Sequence, residues 1–160
     1  MSVFKTYKEY RNYMENGYNA LPIFWAFTMD QFEEQMKKRG LTSKDTDKIC
    51  RFANVNGGFF LKSDADKIRA WFKEDHSKIL HDRMESSQKF AREAFEYEMR
   101  NFEYPLDYYE GDYNVCSVFG SCKYSESKTG SDYLREMGYS DKVIKIYNES
   151  AEKICRSFNY

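Results

Sequence analysis

The N-terminal part of the chain changes between helical and strand-like spacing of its apolar residues. Apolar positions at helical intervals predict an amphipathic helix over residues 3–16 that ends at Gly17. The unbroken apolar run at 23–27 has the length of a strand. Thr28 then offers an N-cap for a second helix, and Gly40 offers its end. The predicted order is therefore helix, strand, helix.

Residues 48–62 carry the pattern of a β-hairpin. Apolar residues flank the tripeptide Asn56-Gly57-Gly58, which supplies the positive-φ residues that a tight turn needs. Together with the run at 23–27, the two arms of this hairpin predict a small antiparallel sheet of about three strands.

The longest helical pattern covers residues 63–104, from Ser63, which can cap a helix, to Pro105, which ends it. Its apolar residues form two stripes whose phases do not match, and a polar sequence at 85–88 separates them. This pattern predicts one bent helix, or two helices in series, with the break at 85–88.

Helical spacing returns towards the C-terminus after a less regular stretch. Residues 113–119 fit either a short helix or a strand, and Ser131 can cap a helix over 132–137. Ser140 can cap a long amphipathic helix that follows. Helices packed on one small antiparallel sheet place the chain in the α+β class.

The length of the chain gives room for one ordinary hydrophobic core, and we predict a single domain over residues 1–160. Within it, residues 23–104 contain the sheet and the long helix, and residues 105–160 form a helical C-terminal part. No apolar run approaches the roughly 20 residues that cross a bilayer, and the N-terminus lacks the apolar core of a secretory signal. These features predict a cytoplasmic protein without a membrane partner.

Basic and acidic residues nearly cancel, at 25 and 26, which excludes a uniformly basic nucleic-acid binder. We therefore expect no direct contact with nucleic acid. The cysteines lack the paired close spacing of a zinc site and are expected to be reduced thiols. Cys116 and Cys122 are close enough in sequence to pair if they are oxidised, and this possibility stays open.

Acidic residues and tyrosines concentrate in residues 93–113, the acid/tyrosine segment. Seven carboxylates lie there against the single Arg100, a net charge of −6, with five tyrosines interleaved. Tyrosine offers rigid contact area and carboxylates attract lysine and arginine, so the segment suits a basic surface, including one that normally holds nucleic acid. The alternative is a solvated acidic helix face with tyrosines at the edges of the core. The residues predicted to contact a partner are Glu103, Tyr104, Asp107, Tyr108, Tyr109, Glu110 and Asp112.

No motif in the sequence indicates catalysis, a metal site or a cofactor. His76 and His81 are five residues apart, which places them on different faces of a helix. We therefore predict a non-enzymatic protein with no catalytic residue, no metal and no cofactor. Two alternatives stay open. One is a metal-dependent hydrolase or nuclease-like enzyme that uses carboxylates within 93–112, and the other is a homo-oligomeric structural protein that buries its tyrosines against a second copy.

Three stretches occur in order over residues 23–104. The first is Phe24-Trp25-Ala26-Phe27 followed by Gln31-Phe32, the second is Asn56-Gly57-Gly58-Phe59, and the third is Glu98-Met99-Arg100-Asn101-Phe102-Glu103-Tyr104. Together they resemble a family of small uncharacterised proteins carried by phages and mobile elements of gut bacteria. The matching features of that family are an F-x-A-F-x-x-x-Q-F opening, a glycine-rich turn, and an E-x-x-N-x-E-Y ending of a long helix.

The resemblance implies a phage or mobile-element origin, residence in the cytoplasm of the host bacterium, and no established enzyme activity. By association it also implies an inhibitor of host defence that binds a protein surface, such as a CRISPR effector or its RNA complex. We therefore expect an interaction protein that presents the acid/tyrosine segment to a basic surface of its partner.

Overall fold

A computed structural model of the chain describes residues 4–52, 55–106 and 110–158. The chain divides into two compact units. The helical unit comprises Met1–Tyr13 and Asp75–Tyr160, and the sheet unit comprises Met14–Glu74. The first boundary falls inside helix α1 (Tyr7–Asn19). The prediction of a single domain over residues 1–160 stays a prediction.

The sheet unit is built on the predicted three-stranded antiparallel sheet. Its strands are β1 (Phe24–Trp25), β2 (Ile49–Arg51) and β3 (Gly58–Leu61), and β3 lies between the other two. Helices α2 (Met29–Lys38) and α3 (Ala65–Lys73) complete the unit, with short 3-10 turns at Thr46–Lys48 and Lys62–Asp64. The expected hairpin and the small sheet are both confirmed.

Local signals explain most of the boundaries in this unit. The Thr28 side chain accepts a hydrogen bond from the Gln31 backbone N–H and so begins α2. Gly40 follows α2 with φ of +70°, and Gly57 forms the hairpin turn with φ of +80°. Only glycine adopts this left-handed region without a steric penalty from Cβ, so both glycines act as predicted.

The prediction that Gly17 ends the first helix is wrong. Helix α1 continues through Gly17 to Asn19. A Cβ at position 17 would lie 1.9 Å from a ring carbon of Trp71, so glycine is present there because the indole packs directly on the helix backbone. Gly17 therefore allows Trp71 to pack on α1 and does not end the helix.

The helical unit contains the remaining helices. These are α4 (His76–Ser86), α5 (Gln88–Asn101), α6 (Gly111–Ser117), α7 (Gly130–Glu136) and α8 (Asp141–Ser157), with a 3-10 turn at Tyr104–Leu106. Helix α5 packs along α8. Phe95 and Tyr147 are buried in this contact, and their rings meet edge-on at 5.1 Å between centroids.

The helical pattern at 63–104 forms three helices, where we expected one bent helix or two. The expected break at 85–88 is confirmed, because the Ser87 side chain accepts from the Phe90 N–H and begins α5. A further break occurs before α4, where the Asp75 side chain accepts from the Lys78 N–H at 2.9 Å. Capping residues inside a helical pattern divide it when their side chains replace backbone partners.

The C-terminal helices follow the predicted order. The stretch that fits either a helix or a strand is helix α6, and Ser140 caps α8 as predicted. Helix α7 is capped by Thr129, and not by Ser131. Thr129 forms a reciprocal capping box with Asp132, whose carboxylate accepts from the Thr129 N–H at 2.9 Å. The chain therefore has the α+β fold that the sequence predicts. In the described ranges, no helix is both long and apolar enough to span a bilayer.

Candidate interaction surfaces

A partly buried hydrogen-bond cluster lies where the acid/tyrosine segment enters α6. The Tyr104 hydroxyl donates to Asp112 Oδ1 at 2.9 Å, and the Tyr147 hydroxyl donates to the same oxygen. Tyr147 is 2% exposed. Burial raises the pKa of both phenols well above their usual range, so both remain donors. We call these three residues the tyrosine anchor. It holds Tyr104, which precedes Pro105, to the start of α6.

The outward part of the same region is acidic. Glu103 and Glu110 are exposed, and Leu106 between them is 51% exposed. We call these three residues the acidic rim. Glu103 has φ of +50°, which places a glutamate in the left-handed position after α5 that glycine usually takes. Backbone hydrogen bonds fix both sides of the rim, from the Leu106 N–H to the Glu103 carbonyl and from the Asn114 N–H to the Glu110 carbonyl.

The predicted binding residues therefore separate into three groups. Glu103 and Glu110 lie on the surface. Tyr104 and Asp112 belong to the tyrosine anchor, where their polar groups satisfy each other inside the helical unit. The remaining predicted binding residues, Asp107, Tyr108 and Tyr109, lie outside the described residues.

Most carboxylates of α5 form ion pairs or hydrogen bonds within the helical unit. Both Glu96 oxygens lie 2.8 Å from the Lys153 ammonium. Glu98 is 5% exposed and accepts from the Tyr7 hydroxyl at 2.6 Å. The ring of Tyr97 lies 3.5 Å below the guanidinium carbon of Arg11. These residues of α5 are thus used within the helical unit, whereas Glu103 and Glu110 of the acidic rim are exposed.

The sheet unit presents a second surface that the sequence analysis did not find. Phe27 is 72% exposed and Met29 is 65% exposed, next to the exposed side chains of Trp25 and Val55. The rings of Trp25 and Phe27 stack, with centroids 6.5 Å apart and planes within 17°. We call these four residues the aromatic patch. Exposed apolar groups in such a cluster are typical of binding sites.

Glycines at the hairpin turn support the two rings. A Cβ at Gly57 would lie 2.6 Å from the Phe27 ring, and one at Gly58 would lie 3.1 Å from the Trp25 ring. The aromatic patch therefore depends on the absence of side chains in the turn beneath it.

Two hollows open on either side of Phe27. One has a volume of about 500 Å³, and its walls include Phe27, Met29, Ile49 and Phe59. The other has a volume of about 470 Å³ and extends along the hairpin turn. Arg51 lines both hollows. Its side chain is exposed and forms no ion pair with any residue that the structure describes.

One signal in the sequence could have revealed this patch. The apolar run at 23–27 predicts a strand but does not distinguish its two faces, and in the structure its side chains alternate: Phe24 and Ala26 are buried, while Trp25 and Phe27 are exposed. Strand residues alternate between two faces, and a strand at a sheet edge is covered less completely than a central one. Strand β1 is such an edge strand.

The described residues were also considered as ligands of a metal ion and as reactive thiols. In the part of the chain that the structure describes, no group of three or more His, Cys, Asp or Glu residues is arranged to hold a metal ion. The cysteines are free thiols. Burial raises the pKa of Cys116, which keeps this thiol in its unreactive protonated form.

A family model matches more than half of the chain. The model of a family of unknown function, DUF7659, matches residues 6–117. The matched region includes the aromatic patch, the acidic rim and two of the three residues of the tyrosine anchor. No curated protein and no solved structure matches the chain.

Proposed function

The chain belongs to DUF7659, a family of unknown function, and from its surface we propose that it is a non-enzymatic interaction protein whose acidic rim binds a cationic protein surface. One observation carries this proposal: Glu103 keeps a left-handed backbone with φ of +50° at a helix end where glycine would be relaxed. A strained residue that the fold retains is a pointer to function.

The rim has the properties of a small recognition element. Its carboxylates are displayed on backbone that the tyrosine anchor holds in place, so little conformational entropy is lost on binding. Exposed ion pairs contribute only about 0.2–1 kcal/mol each. The charges therefore mainly speed and orient the encounter, while Leu106 supplies apolar contact.

The narrower form of the proposal concerns the partner. The resemblance to small phage and mobile-element proteins supports a nucleic-acid-handling protein of a bacterial defence system, such as a CRISPR effector or its RNA complex, as the target. The chain would then act as an inhibitor in the cytoplasm of the host cell. A basic channel that normally holds nucleic acid has the charge that the acidic rim complements.

The experiment uses three immobilised proteins: the wild type, E103K/E110K, and the control E15K/E126K, which makes the same charge change at exposed sites outside the rim. Each is incubated with nuclease-treated bacterial lysate, and retained proteins are quantified by mass spectrometry. We expect a defined set of proteins with basic surfaces to be retained by the wild type and the control, to be lost with E103K/E110K, and to dissociate as salt rises. Equal retention by all three proteins, or no specific retention, contradicts the proposal.

A second variant separates binding from folding. Glu103→Gly removes the carboxylate and relaxes the left-handed backbone. Its melting temperature is expected to equal or exceed that of the wild type, while retention of the same proteins falls. Full retention by this variant would show that Glu103 has no part in binding.

A further inference from the structure

Phe27 and Met29 of the aromatic patch line the 500 Å³ hollow together with Arg51, on the face of the sheet opposite to Trp25. Strand pairing places Arg51 opposite Phe59 and Ile49 opposite Leu61, so these four side chains point to one face. The 500 Å³ hollow is lined by Arg51, Ile49 and Phe59, and a further hollow of about 390 Å³ is lined by Leu61. Both hollows therefore open on this face.

The second hollow carries an excess of positive charge. Arg39, Lys48 and Lys62 line it together with Asp47, and Lys48 forms an ion pair with Asp45 at 3.0 Å. Arg39 is held with its guanidinium carbon 4.0 Å above the ring of Phe24. Lys62 is exposed and, like Arg51, forms no ion pair with a described residue. The surface thus offers cations that the sheet unit itself does not neutralise.

The spacing of the two unpaired cations suits an extended chain. Arg51 ends β2, and Lys62 follows β3 at the opposite end of the hairpin, one position beyond the pair Ile49 and Leu61. Three strand positions separate their levels, which is about 10 Å at 3.3 Å per residue. Acidic residues two or four positions apart in an extended peptide point to the same side, about 7 or 13 Å apart, and these two distances bracket the separation of the cations.

From these observations we propose that Phe27, Met29 and the 500 Å³ and 390 Å³ hollows form a second binding surface, which takes an acidic segment of a protein partner. A large apolar side chain of that segment enters the hollow beside Phe27, and neighbouring carboxylates meet Arg51 and Lys62. This goes beyond the acidic rim, because it lies in the sheet unit and selects the opposite charge. Phenylalanine, methionine and arginine are also enriched in protein interfaces.

The lining favours a peptide over single-stranded nucleic acid. Bases bind on flat aromatic platforms beside a continuous basic track. Here the 500 Å³ hollow is concave, and Met29 and Ile49 give it aliphatic walls. In the 390 Å³ hollow, Asp47 lies among the cations. Carboxylates on a flexible segment can avoid Asp47, whereas regularly spaced phosphates cannot all do so.

The test is a selection of random peptides on the immobilised full-length protein, read by sequencing. We expect enrichment of peptides that place Phe, Trp, Leu or Met next to Asp or Glu. The enriched peptides are then synthesised with a fluorescent label and titrated by anisotropy. R51E and F27S are each expected to weaken their binding by roughly tenfold, as for residues central to an interface.

Two control variants test whether the loss of peptide binding is specific to Arg51 and Phe27. K73E makes the same charge change at an exposed lysine that lines none of the hollows described here, and Y18S removes an exposed aromatic ring elsewhere in the sheet unit. Both are expected to bind like the wild type. E103K/E110K is also expected to bind the enriched peptides normally, so failure at the acidic rim and failure at this surface are distinguishable. Circular dichroism confirms that each variant is folded.

Several results would overturn the proposal. These are no enrichment, enrichment of basic or uncharged peptides, and enriched peptides that bind R51E and F27S as tightly as the wild type. Binding of a labelled oligo-dT that R51E and F27S abolish would assign the surface to nucleic acid instead. Light scattering that shows a wild-type oligomer converted to monomer by F27S would assign it to a contact between copies.

Discussion

Removal of the Asp112 carboxylate should unfold the helical unit at markedly lower temperature. In Asp112→Ala, the phenols of Tyr104 and Tyr147 lose their shared acceptor. Hydrogen bonds to a charged group contribute about 1.5–3 kcal/mol, and a buried donor left without a partner costs about 1–3 kcal/mol. Tyr147 is almost fully buried and Tyr104 is half-buried. We therefore expect a loss of about 3–4 kcal/mol in the free energy of unfolding.

This loss corresponds to a fall of about 6–15 °C in melting temperature for a chain of this length. The assay is urea and thermal unfolding followed by far-ultraviolet circular dichroism. Tryptophan fluorescence is unsuitable, because Trp25 and Trp71 both lie in the sheet unit. The control is Glu126→Ala, an exposed carboxylate in the helical unit, whose effect should stay within about 0.5 kcal/mol.

A mutant cycle identifies the cause of the loss. When Tyr104→Phe and Tyr147→Phe are already present, Asp112→Ala leaves no phenol without an acceptor, so its further cost should be at least about 1.5 kcal/mol smaller than in the wild type. A melting temperature of Asp112→Ala within 2 °C of the wild type would refute the structural role. In that case the original assignment of Asp112 to partner binding would regain its support.

Two further predictions concern stability. Burial raises the pKa of several tyrosines above the value near 10 of the unfolded chain, to about 12 for Tyr10. The stabilisation from these protonated phenols should therefore be fully present below pH 10 and be lost as the pH rises towards 12. A urea midpoint that stays constant over this range would contradict the prediction. Gly57→Ala should lower stability more than Gly40→Ala. Both glycines have positive φ, but a Cβ meets the Phe27 ring 2.6 Å away at position 57 and nothing within 4 Å at position 40. Equal urea midpoints of the two variants would count against the contact.

The parts of the fold that could be predicted depend on interactions within a few residues. Thr28 and Ser140 cap the helices that follow them, and Gly40 and Gly57 adopt the left-handed conformations expected at their turns. The prediction that Gly17 ends α1 failed because glycine is needed there for a contact with a residue far away in the sequence. Nothing near Gly17 in the sequence indicates that Trp71 will pack on the helix backbone there.

The same distinction explains the outcome for the candidate site. A tally of charges along residues 93–113 counts carboxylates, but their neighbours in space come from other segments: Tyr7 for Glu98, Lys153 for Glu96 and Tyr147 for Asp112. The tally therefore cannot separate a carboxylate that stabilises the fold from one that faces solvent.

An exposed apolar or charged side chain that has no partner within the chain indicates a binding surface better than a count of carboxylates does. The fold could satisfy an arginine at position 51 with a nearby carboxylate and could cover Phe27 with another element, yet Arg51 has no described ion-pair partner and Phe27 is 72% exposed. Leaving a large apolar ring in water forgoes most of the 1.5–3 kcal/mol that its full burial would contribute. The exposed Phe27 ring beside an unpaired cation and the left-handed backbone of Glu103 both support the proposal of a binding protein. For this reason Arg51, Phe27 and Glu103 are better positions for mutagenesis than the more acidic, but internally paired, residues of α5.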